Sequence, residues 1–313
     1  AEAQFLDSLA GPGRLCARDT AITLPSGESS WLHSVELAPV TPEVSSELPL
    51  VLLPGYGTGA AFFAFALAHV DSSKELHDAS SGCARHVIAV DPLGWYLSDH
   101  PEWTAGVQPV PAEDWFVAGL EAWREAREIE RLDLLGHSIG GVIAVSYAER
   151  FPERVRRLVL LSPAGVPAQP TDYDAKVRDA PLKVRLLVHL WRTGWAPHAA
   201  LRLLPGRYGH RIARWNAERW SRGYMKIASF NIDAFADYIY HGMCEGRQSA
   251  EVAMGAFLHP GAWGKRPLKD RIPKLKLDRV EMIYGDADWM DVRHGNAVAE
   301  ACLPEEGPAG VDA

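Results

Sequence analysis

The sequence has little of three things: cysteine, excess positive charge and long apolar runs. Its four cysteines lie far apart without a C-x-x-C pair, which argues against a disulfide framework or a zinc site and predicts reduced thiols in the cytoplasm. A net charge of −8 argues against nucleic acid as a partner. The apolar run over residues 60–70 is too short to span a bilayer and predicts a buried helix instead.

The sequence also lacks an initial methionine and a basic leader segment. We therefore expect that the natural protein begins upstream of Ala1 and that any targeting segment lies there. What is present is an ordinary globular composition, 47% hydrophobic and 23% charged, which is enough for a sizeable core. The length is compatible with one large α/β domain, and we predict a single domain over residues 1–313.

Short apolar runs alternate with helical segments along most of the chain. This alternation is typical of an α/β fold with a parallel sheet. A helix is predicted over 114–130, and another begins at Ile139 and ends before Pro152. The predicted strands are residues 50–53, 86–90, 132–135, 157–161 and 280–284.

The strand pattern disappears between residues 170 and 260, which predicts a helical insert between two strands of one sheet. Residues 181–226 contain ten Lys or Arg residues and one acid, a local net charge of +9. Because Trp favours the headgroup boundary and basic residues attract anionic lipid, the insert is predicted to be a lid that docks on a membrane or lipid-droplet surface. The alternative is that the tryptophans are core and the arginines form a solvated face. The lipid-binding candidates are Trp191, Trp195, Trp215 and Trp220.

Residues 132–141 combine a strand, a sharp turn and the start of a helix around the sequence G-H-S-I-G. Such a turn forces the central Ser138 into a strained backbone conformation and exposes its hydroxyl at a helix N-terminus, as a nucleophile requires. Gly136 and Gly140 are needed because a Cβ at either position would collide with the neighbouring strand and helix. The alternative is a glycine-rich turn with an incidental serine. The flanking strand and helix favour the nucleophile.

Acyl transfer also needs two hydrogen-bond donors for the oxyanion of the tetrahedral intermediate. We expect one to be the backbone N–H of Ile139. The other is expected from the glycine-rich segment 54–59, and we assign it to the backbone N–H of Tyr56. A plain strand-to-helix turn is the alternative for this segment. His137, although next to Ser138, is predicted to pack beneath the turn and not to act as the base.

The acid of a triad in this fold should follow the strand predicted over 280–284, because the triad order is serine, acid, histidine. Three aspartates compete for this role: Asp286, Asp288 and Asp291. The acid would fix the tautomer of the histidine and stabilise its protonated form. The alternative, a solvated acidic turn, best describes Asp286.

Several sequence blocks together resemble the α/β-hydrolase-domain subfamily of lysophospholipases, lysophosphatidic acid acyltransferases and cardiolipin deacylases. The resemblance covers nearly the whole chain and implies helices on both faces of a mostly parallel central sheet. It also makes Asp288, at the family's Gly-x-x-Asp position, the preferred acid, with Asp291 as the runner-up. The matching blocks are residues 49–59, 91–94, 113–117 with 123–124, 134–141, 147–155, 161–167, 238–241, 263–268 and 284–291.

The chain departs from this family at three places. Pro54 stands where the family has histidine, and residues 96–99 replace the family's Gly-Arg-Ser-Ser. The family's C-terminal strand, with the Gly-His that carries the catalytic histidine, is missing. The last histidine, His294, is expected in a helix after the acid turn. His86 and Asp91 have the family's His-x4-Asp spacing by accident, because they lie on the wrong strand, and we expect a structural role for them. The 313-residue chain is therefore expected to lack its general base and to hydrolyse esters poorly.

The resemblance implies a serine hydrolase or acyltransferase that acts on acyl esters of glycerophospholipids or lysophospholipids through an acyl-enzyme on Ser138. The elbow alone would suit other ester or amide chemistry. No metal or organic cofactor is implied, and coenzyme A would serve only as an acyl donor. We expect lipid substrate and a membrane or lipid-droplet surface as partners, and a peripheral cytoplasmic location. The alternative is a non-catalytic lipid-binding or lipase-regulating protein that lacks the catalytic histidine.

Overall fold

A seven-stranded sheet organises the chain in the computed structural model, which describes residues 1–37, 48–72, 86–195, 197–203, 206–222, 229–245 and 247–302. The strands are β1 Leu15–Thr23, β2 Ser29–Leu37, β3 Leu50–Leu53, β4 Val87–Val90, β5 Leu132–His137, β6 Val155–Leu161, β7 Leu258–His259, β8 Trp263–Gly264 and β9 Arg279–Ile283. The sheet order is β1-β2-β4-β3-β5-β6-β9, and β7 pairs with β8 separately. Only the β1–β2 and β2–β4 pairs of the large sheet are antiparallel, so the predicted mostly parallel sheet is confirmed.

Helices cover both faces of this sheet, as predicted. They are α1 Glu2–Ala10, α2 Ala64–Ser72, α3 Pro109–Ala126, α4 Ile139–Arg150, α5 Tyr173–Asp179, α6 Leu182–Arg192, α7 Pro197–Arg202, α8 Gly206–Trp220, α9 Ile232–Cys244, α10 Ala253–Phe257 and α11 Val292–Ala301. Successive side chains of a strand point to opposite faces. In β3, Val51 and Leu53 belong to one core with α3 and α4, whereas Leu52 belongs to a second core with α1, α2 and α9.

The chain between β6 and β9 is mostly helical and forms α5 to α10. Helix α8 packs on α9 through three small buried residues, Gly209, Ala213 and Ala217, spaced four apart. The other side chains of α8 are half-buried or exposed. Within the described ranges, no helix has the length and apolar character that crossing a membrane requires.

The carboxyl ends of the parallel strands meet at one edge of the sheet, where α/β folds place their binding sites. The loops after β3, β5, β6 and β9 all begin there. In the part of the chain that the structure describes, β9 is the last strand, and a groove of about 610 Å³ runs between it and α11. Residues 303–313 lie outside the described residues.

Candidate active site

Ser138 lies at the turn between β5 and α4 with φ 54° and ψ −118°. Residues other than glycine rarely adopt this backbone conformation. Its N–H donates to the carbonyl of Leu161 on the neighbouring strand at 3.0 Å. Its carbonyl accepts hydrogen bonds from the N–H groups of Gly141 and Ala164 at 3.0 and 3.1 Å. These bonds hold the turn in a strained conformation typical of a nucleophile elbow.

The two motif glycines allow this turn to pack closely against its surroundings. A Cβ on Gly140 would lie 2.5 Å from the carbonyl oxygen of Leu53 and 2.6 Å from that of Pro54. A Cβ on Gly136 would lie 2.6 Å from the Cα of Gly141, in the first turn of α4. Both glycines are thus placed as the sequence predicts, one against the end of β3 and one against the helix.

Residues 54–59, which we call the oxyanion loop, lie directly against the elbow. A Cβ on Gly55 would be 3.1 Å from the Cβ of Ser138. Within the described part of the chain, neither the N–H of Tyr56 nor that of Ile139 donates a hydrogen bond. Both N–H groups therefore remain available beside Ser138, and their role as oxyanion donors stays a prediction.

Asp91 and Tyr96, which both follow β4, hold the oxyanion loop and the residue after it in place. The hydroxyl of Tyr96 donates to the carbonyl of Gly57 at 3.0 Å. The fully buried carboxyl of Asp91 accepts from the N–H of Ala60 at 2.6 Å. Burial raises the pKa of Asp91 to about 7, against the opposing charge of His33. Tyr96 is the first residue of the segment that departs from the family pattern, so this departure supplies a support for the loop.

Asp288 lies where the loops after β6 and β9 meet. Its Oδ2 accepts from the hydroxyl of Ser162 at 2.5 Å, and its Oδ1 accepts from the N–H of Met290 at 2.9 Å. Burial opposes ionisation, but these hydrogen bonds outweigh it and lower the pKa of Asp288. Ser162 is the first residue after β6 and is not among the predicted site residues. Its position at the end of a strand next to β9 was the available signal.

The other two aspartates are engaged differently. Asp291 is the N-cap of α11, and its carboxylate accepts from the backbone N–H and the guanidinium of Arg293. These bonds hold the pKa of Asp291 down at about 2. Asp286 is exposed. The geometry therefore favours Asp288 over Asp291 as the acid, although its catalytic role stays a prediction.

None of the described histidines forms a hydrogen bond with Asp288 or with Ser138. His137 packs under the oxyanion loop, where a Cβ on Gly55 would lie 3.0 Å from its Nδ1. Burial lowers the pKa of His137. His294 lies in α11, as expected, and its ring meets that of Trp263 edge to face at 6.3 Å.

The four tryptophans of the insert occupy different environments. The indole N–H of Trp191 donates to the carbonyl of Leu258 at 2.9 Å, and the ring packs against the core. Trp220 is 37% exposed and packs on the ring of Phe62. Trp195 is 39% exposed and Trp215 is 56% exposed. Trp191 therefore fits the alternative of a core tryptophan, whereas the other three leave part of the ring at the surface.

Comparison with known proteins supports the resemblance seen in the sequence. Residues 49–298 match the family described as the alpha/beta hydrolase fold. The (lyso)-N-acylphosphatidylethanolamine lipase of Mus musculus is 32% identical over 280 residues, which cover 88% of this chain and 74% of the lipase. The 1-acylglycerol-3-phosphate O-acyltransferase ABHD5 of Mus musculus is 33% identical over 256 residues, which cover 82% of this chain and 68% of that protein.

Solved structures show the same fold. The enol-lactonase from Burkholderia xenovorans LB400 matches with a TM-score of 0.54 at 16% identity, covering 90% of this chain and 87% of the lactonase. A thermophilic esterase from Thermogutta terrifontis matches with a TM-score of 0.53 at 15% identity, covering 91% of this chain and 86% of the esterase. The predicted fold and the predicted subfamily are both confirmed. The chain belongs to the α/β-hydrolase family, and the relatives named above include a phospholipid lipase and an acylglycerol-phosphate acyltransferase.

Proposed function

We propose that the protein is a serine hydrolase or acyltransferase that hydrolyses or transfers the acyl groups of glycerophospholipids or lysophospholipids through an acyl-enzyme on Ser138. The observation that carries the proposal is the backbone of Ser138, at φ 54° and ψ −118° between a strand and a helix. The immediate surroundings of a nucleophile support it: the unused N–H groups of Tyr56 and Ile139 and the hydrogen-bonded carboxylate of Asp288. The names of the relatives supply the substrate class.

The reaction would proceed in two steps. The Oγ of Ser138 attacks the ester carbonyl, and its proton passes to a general base and then to the leaving alcohol. The N–H groups of Tyr56 and Ile139 stabilise the oxyanion, and collapse of the intermediate leaves the acyl group on Ser138. Water then releases a fatty acid, or the hydroxyl of an acceptor lipid takes the acyl group. Asp288 would orient the base.

Release of fatty acid from a lysophospholipid tests this proposal, measured with the full-length natural protein. The Ser138→Ala variant should lose nearly all activity, because removing the nucleophile of comparable enzymes costs about 10⁶ in kcat. Ser146→Ala is the matched control, since the hydroxyl of Ser146 is buried and donates to the carbonyl of Val142 and accepts from Arg271, away from the elbow. Equal release by the wild type and Ser138→Ala would refute the proposal.

A non-catalytic lipid-binding or lipase-regulating role is the second candidate. It is favoured by the fact that no described histidine bonds to Asp288 or Ser138. The two candidates differ in the effect of Ser138→Ala. A regulator would retain its function in this variant, whereas an enzyme would not.

We also propose that the insert acts as a lid that docks on an anionic membrane or lipid-droplet surface. Its outer face combines large apolar and basic side chains. On α8, Tyr208, Arg211, Ile212 and Trp215 line an open surface depression of about 500 Å³. On α6, Leu182, Leu186 and Leu187 are between 55% and 77% exposed. Apolar side chains beside arginines are the combination that an interfacial helix needs.

A further inference from the structure

A cluster of buried polar side chains lies between the insert and the oxyanion loop. His198 and Arg202 are one helical turn apart on α7, and Arg202 forms an ion pair with the buried Glu251. The ring of His198 stacks on that of Tyr56, with 4.7 Å between the ring centroids and 15° between the planes. The cluster therefore connects the insert to the residue that we predict to supply one oxyanion donor.

Several polar atoms of this cluster are buried without a hydrogen-bond partner in the described part of the chain. They are Nδ1 of His198, and Nε and Nη1 of Arg202. The hydroxyl of Tyr56 faces the backbone N–H of His198 and has no acceptor for its own proton among the described residues. His198 is 4% exposed, and the side chain of Arg202 is 13% exposed. Leaving such groups unpaired costs free energy, most of all for a charged group, and buried polar groups are therefore nearly always bonded. A ligand that accepts hydrogen bonds would remove this cost.

The chemistry of the cluster favours an anionic ligand. Glu251 occupies only Nη2 of Arg202, so the remaining N–H groups of the guanidinium can serve a second acceptor. Burial lowers the pKa of His198 to about 4, so its ring is neutral at pH 7 and offers one N–H. Charge-assisted hydrogen bonds from arginine are the common means of binding phosphate.

The cluster is close enough to the elbow for one ligand to reach both. Gly55 packs against Ser138, and Tyr56 is the next residue. A Cβ on Gly57 would lie 3.5 Å from Nε2 of His198. The oxyanion loop thus touches Ser138 on one side and the polar cluster on the other.

We infer that Arg202, His198 and the hydroxyl of Tyr56 form a subsite for the phosphate of the glycerophospholipid whose acyl ester lies at Ser138. The inference rests on the proposed function, and it adds that the enzyme selects acylglycerols that carry a phosphate. Neutral acylglycerols have no group for this subsite, and their binding would leave the buried donors unpaired.

Binding of sn-glycerol 3-phosphate, measured by isothermal titration calorimetry on the full chain, tests the subsite without any turnover. The main variant is Arg202→Gln combined with Glu251→Gln, which removes both charges together and leaves no unpaired buried carboxylate. We expect this variant to bind about ten- to one hundredfold more weakly than the wild type. The control is Arg131→Gln, an exposed arginine at the opposite end of β5, which should bind like the wild type.

A second variant, His198→Phe, keeps a ring that can stack on Tyr56 and removes the ring nitrogens; it should bind several-fold more weakly. Thermal unfolding checks that each variant is folded. Equal affinity in the wild type and both variants overturns the subsite. Inorganic phosphate that binds as tightly as glycerol 3-phosphate overturns its assignment to a lipid headgroup.

The two proposals can fail separately. Binding that depends on Arg202, in a protein whose Ser138 releases no fatty acid from phospholipid, refutes the proposed function and keeps the anion subsite. Ser138-dependent hydrolysis with binding that is independent of Arg202 refutes the subsite alone. When both hold, the ratio of kcat/KM for lysophosphatidic acid to that for the monoacylglycerol with the same chain should fall about tenfold or more in the double variant.

Discussion

The backbone of Ser138 is held against its own preference. A non-glycine residue in this region costs on the order of 1–3 kcal/mol. Three hydrogen bonds offset this cost. The N–H of Ser138 donates to the carbonyl of Leu161, and the carbonyl of Ser138 accepts from the N–H groups of Gly141 and Ala164. The strand, the turn and the helix pack so tightly here that only glycine fits at positions 136 and 140, two residues before and two residues after the serine.

Replacing Gly140 by alanine should therefore destabilise the protein by about 1–3 kcal/mol, because the new Cβ would meet two backbone carbonyls that cannot rotate away. Urea unfolding of the wild type and the variant measures this. Gly285→Ala is the matched control, since the nearest atom to its Cβ would be 3.9 Å away. An equally small effect at both positions would contradict the close contact at the elbow.

Asp288 and Asp291 should separate in their effects. In the full-length protein, Asp288→Asn is expected to lower kcat about 10⁴-fold, as loss of the triad acid does in a serine protease. Asp291→Ala removes an N-cap, so it should lower the free energy of unfolding by about 1 kcal/mol and leave kcat within a few-fold of wild type. Esterase kinetics and urea unfolding measure the two effects. The reverse pattern would identify Asp291 as the acid.

At the scale of elements, the five parallel strands of the large sheet were predictable, and the two antiparallel strands β1 and β2 at one side of it were not. The parallel strands are short and mostly apolar. In contrast, only three of the nine residues of β1 are buried, so its sequence carries little apolar alternation. Strand β2 buries His33, Ser34 and Glu36, polar residues that look like a loop in sequence. The residues that pair with them are far away in the chain; for example, the guanidinium of Arg127 donates to the carboxylate of Glu36.

The candidate site was predictable to a similar degree. The elbow, the oxyanion loop and the acid turn each follow a strand, so local sequence and strand order were sufficient to place them. The cluster of His198, Arg202 and Glu251 could not be found this way, because its members come from the insert and have no characteristic spacing. Their relation to Tyr56 depends on how the insert packs on the sheet.

Helix α8 should bind anionic vesicles more tightly than neutral ones, because its arginines lie beside the exposed Trp215. Removing Arg211 and Arg219 by substitution with glutamine should weaken binding by about 1 kcal/mol per residue. Liposome flotation at low and high salt measures this, with Arg131→Gln as the control. Equal flotation with neutral and anionic vesicles, unaffected by salt, would disprove electrostatic docking.

At the scale of the whole molecule, buried charge outside the site should make stability depend on pH. Burial opposes protonation of His33, but its hydrogen bonds and charge interactions with Glu2, together with Asp91 and Asp19, raise its pKa to about 9. A raised pKa means that the folded state holds the proton more tightly, so the stabilisation is complete below pH 6.5 and is lost as the pH rises through 9.

The free energy of unfolding should therefore fall by an amount on the order of 1–3 kcal/mol between pH 6 and pH 9.5. Urea unfolding across this range measures it. His33→Gln cannot take up the proton, and its stability should depend much less on pH over the same range. A wild type whose stability rises over this range would show that His33 is not held protonated.

The 313-residue chain itself should hydrolyse p-nitrophenyl esters slowly, because no described histidine bonds to Ser138 or Asp288. Loss of the histidine of a comparable triad costs about 10⁶ in kcat. Initial rates of this chain and of its Ser138→Ala variant measure the effect. A rapid rate that depends on Ser138 would show that the base lies within residues 1–313.

Labelling of the full-length natural protein by a fluorophosphonate tests most directly whether Ser138 is an activated nucleophile. The probe forms a covalent bond with a serine that an elbow and its oxyanion donors activate. Peptide mass spectrometry then identifies the modified residue. We predict a single adduct on Ser138 that is absent from Ser138→Ala and unchanged in Ser146→Ala. A folded protein that carries no adduct, or an adduct on another serine, would contradict the assignment of Ser138.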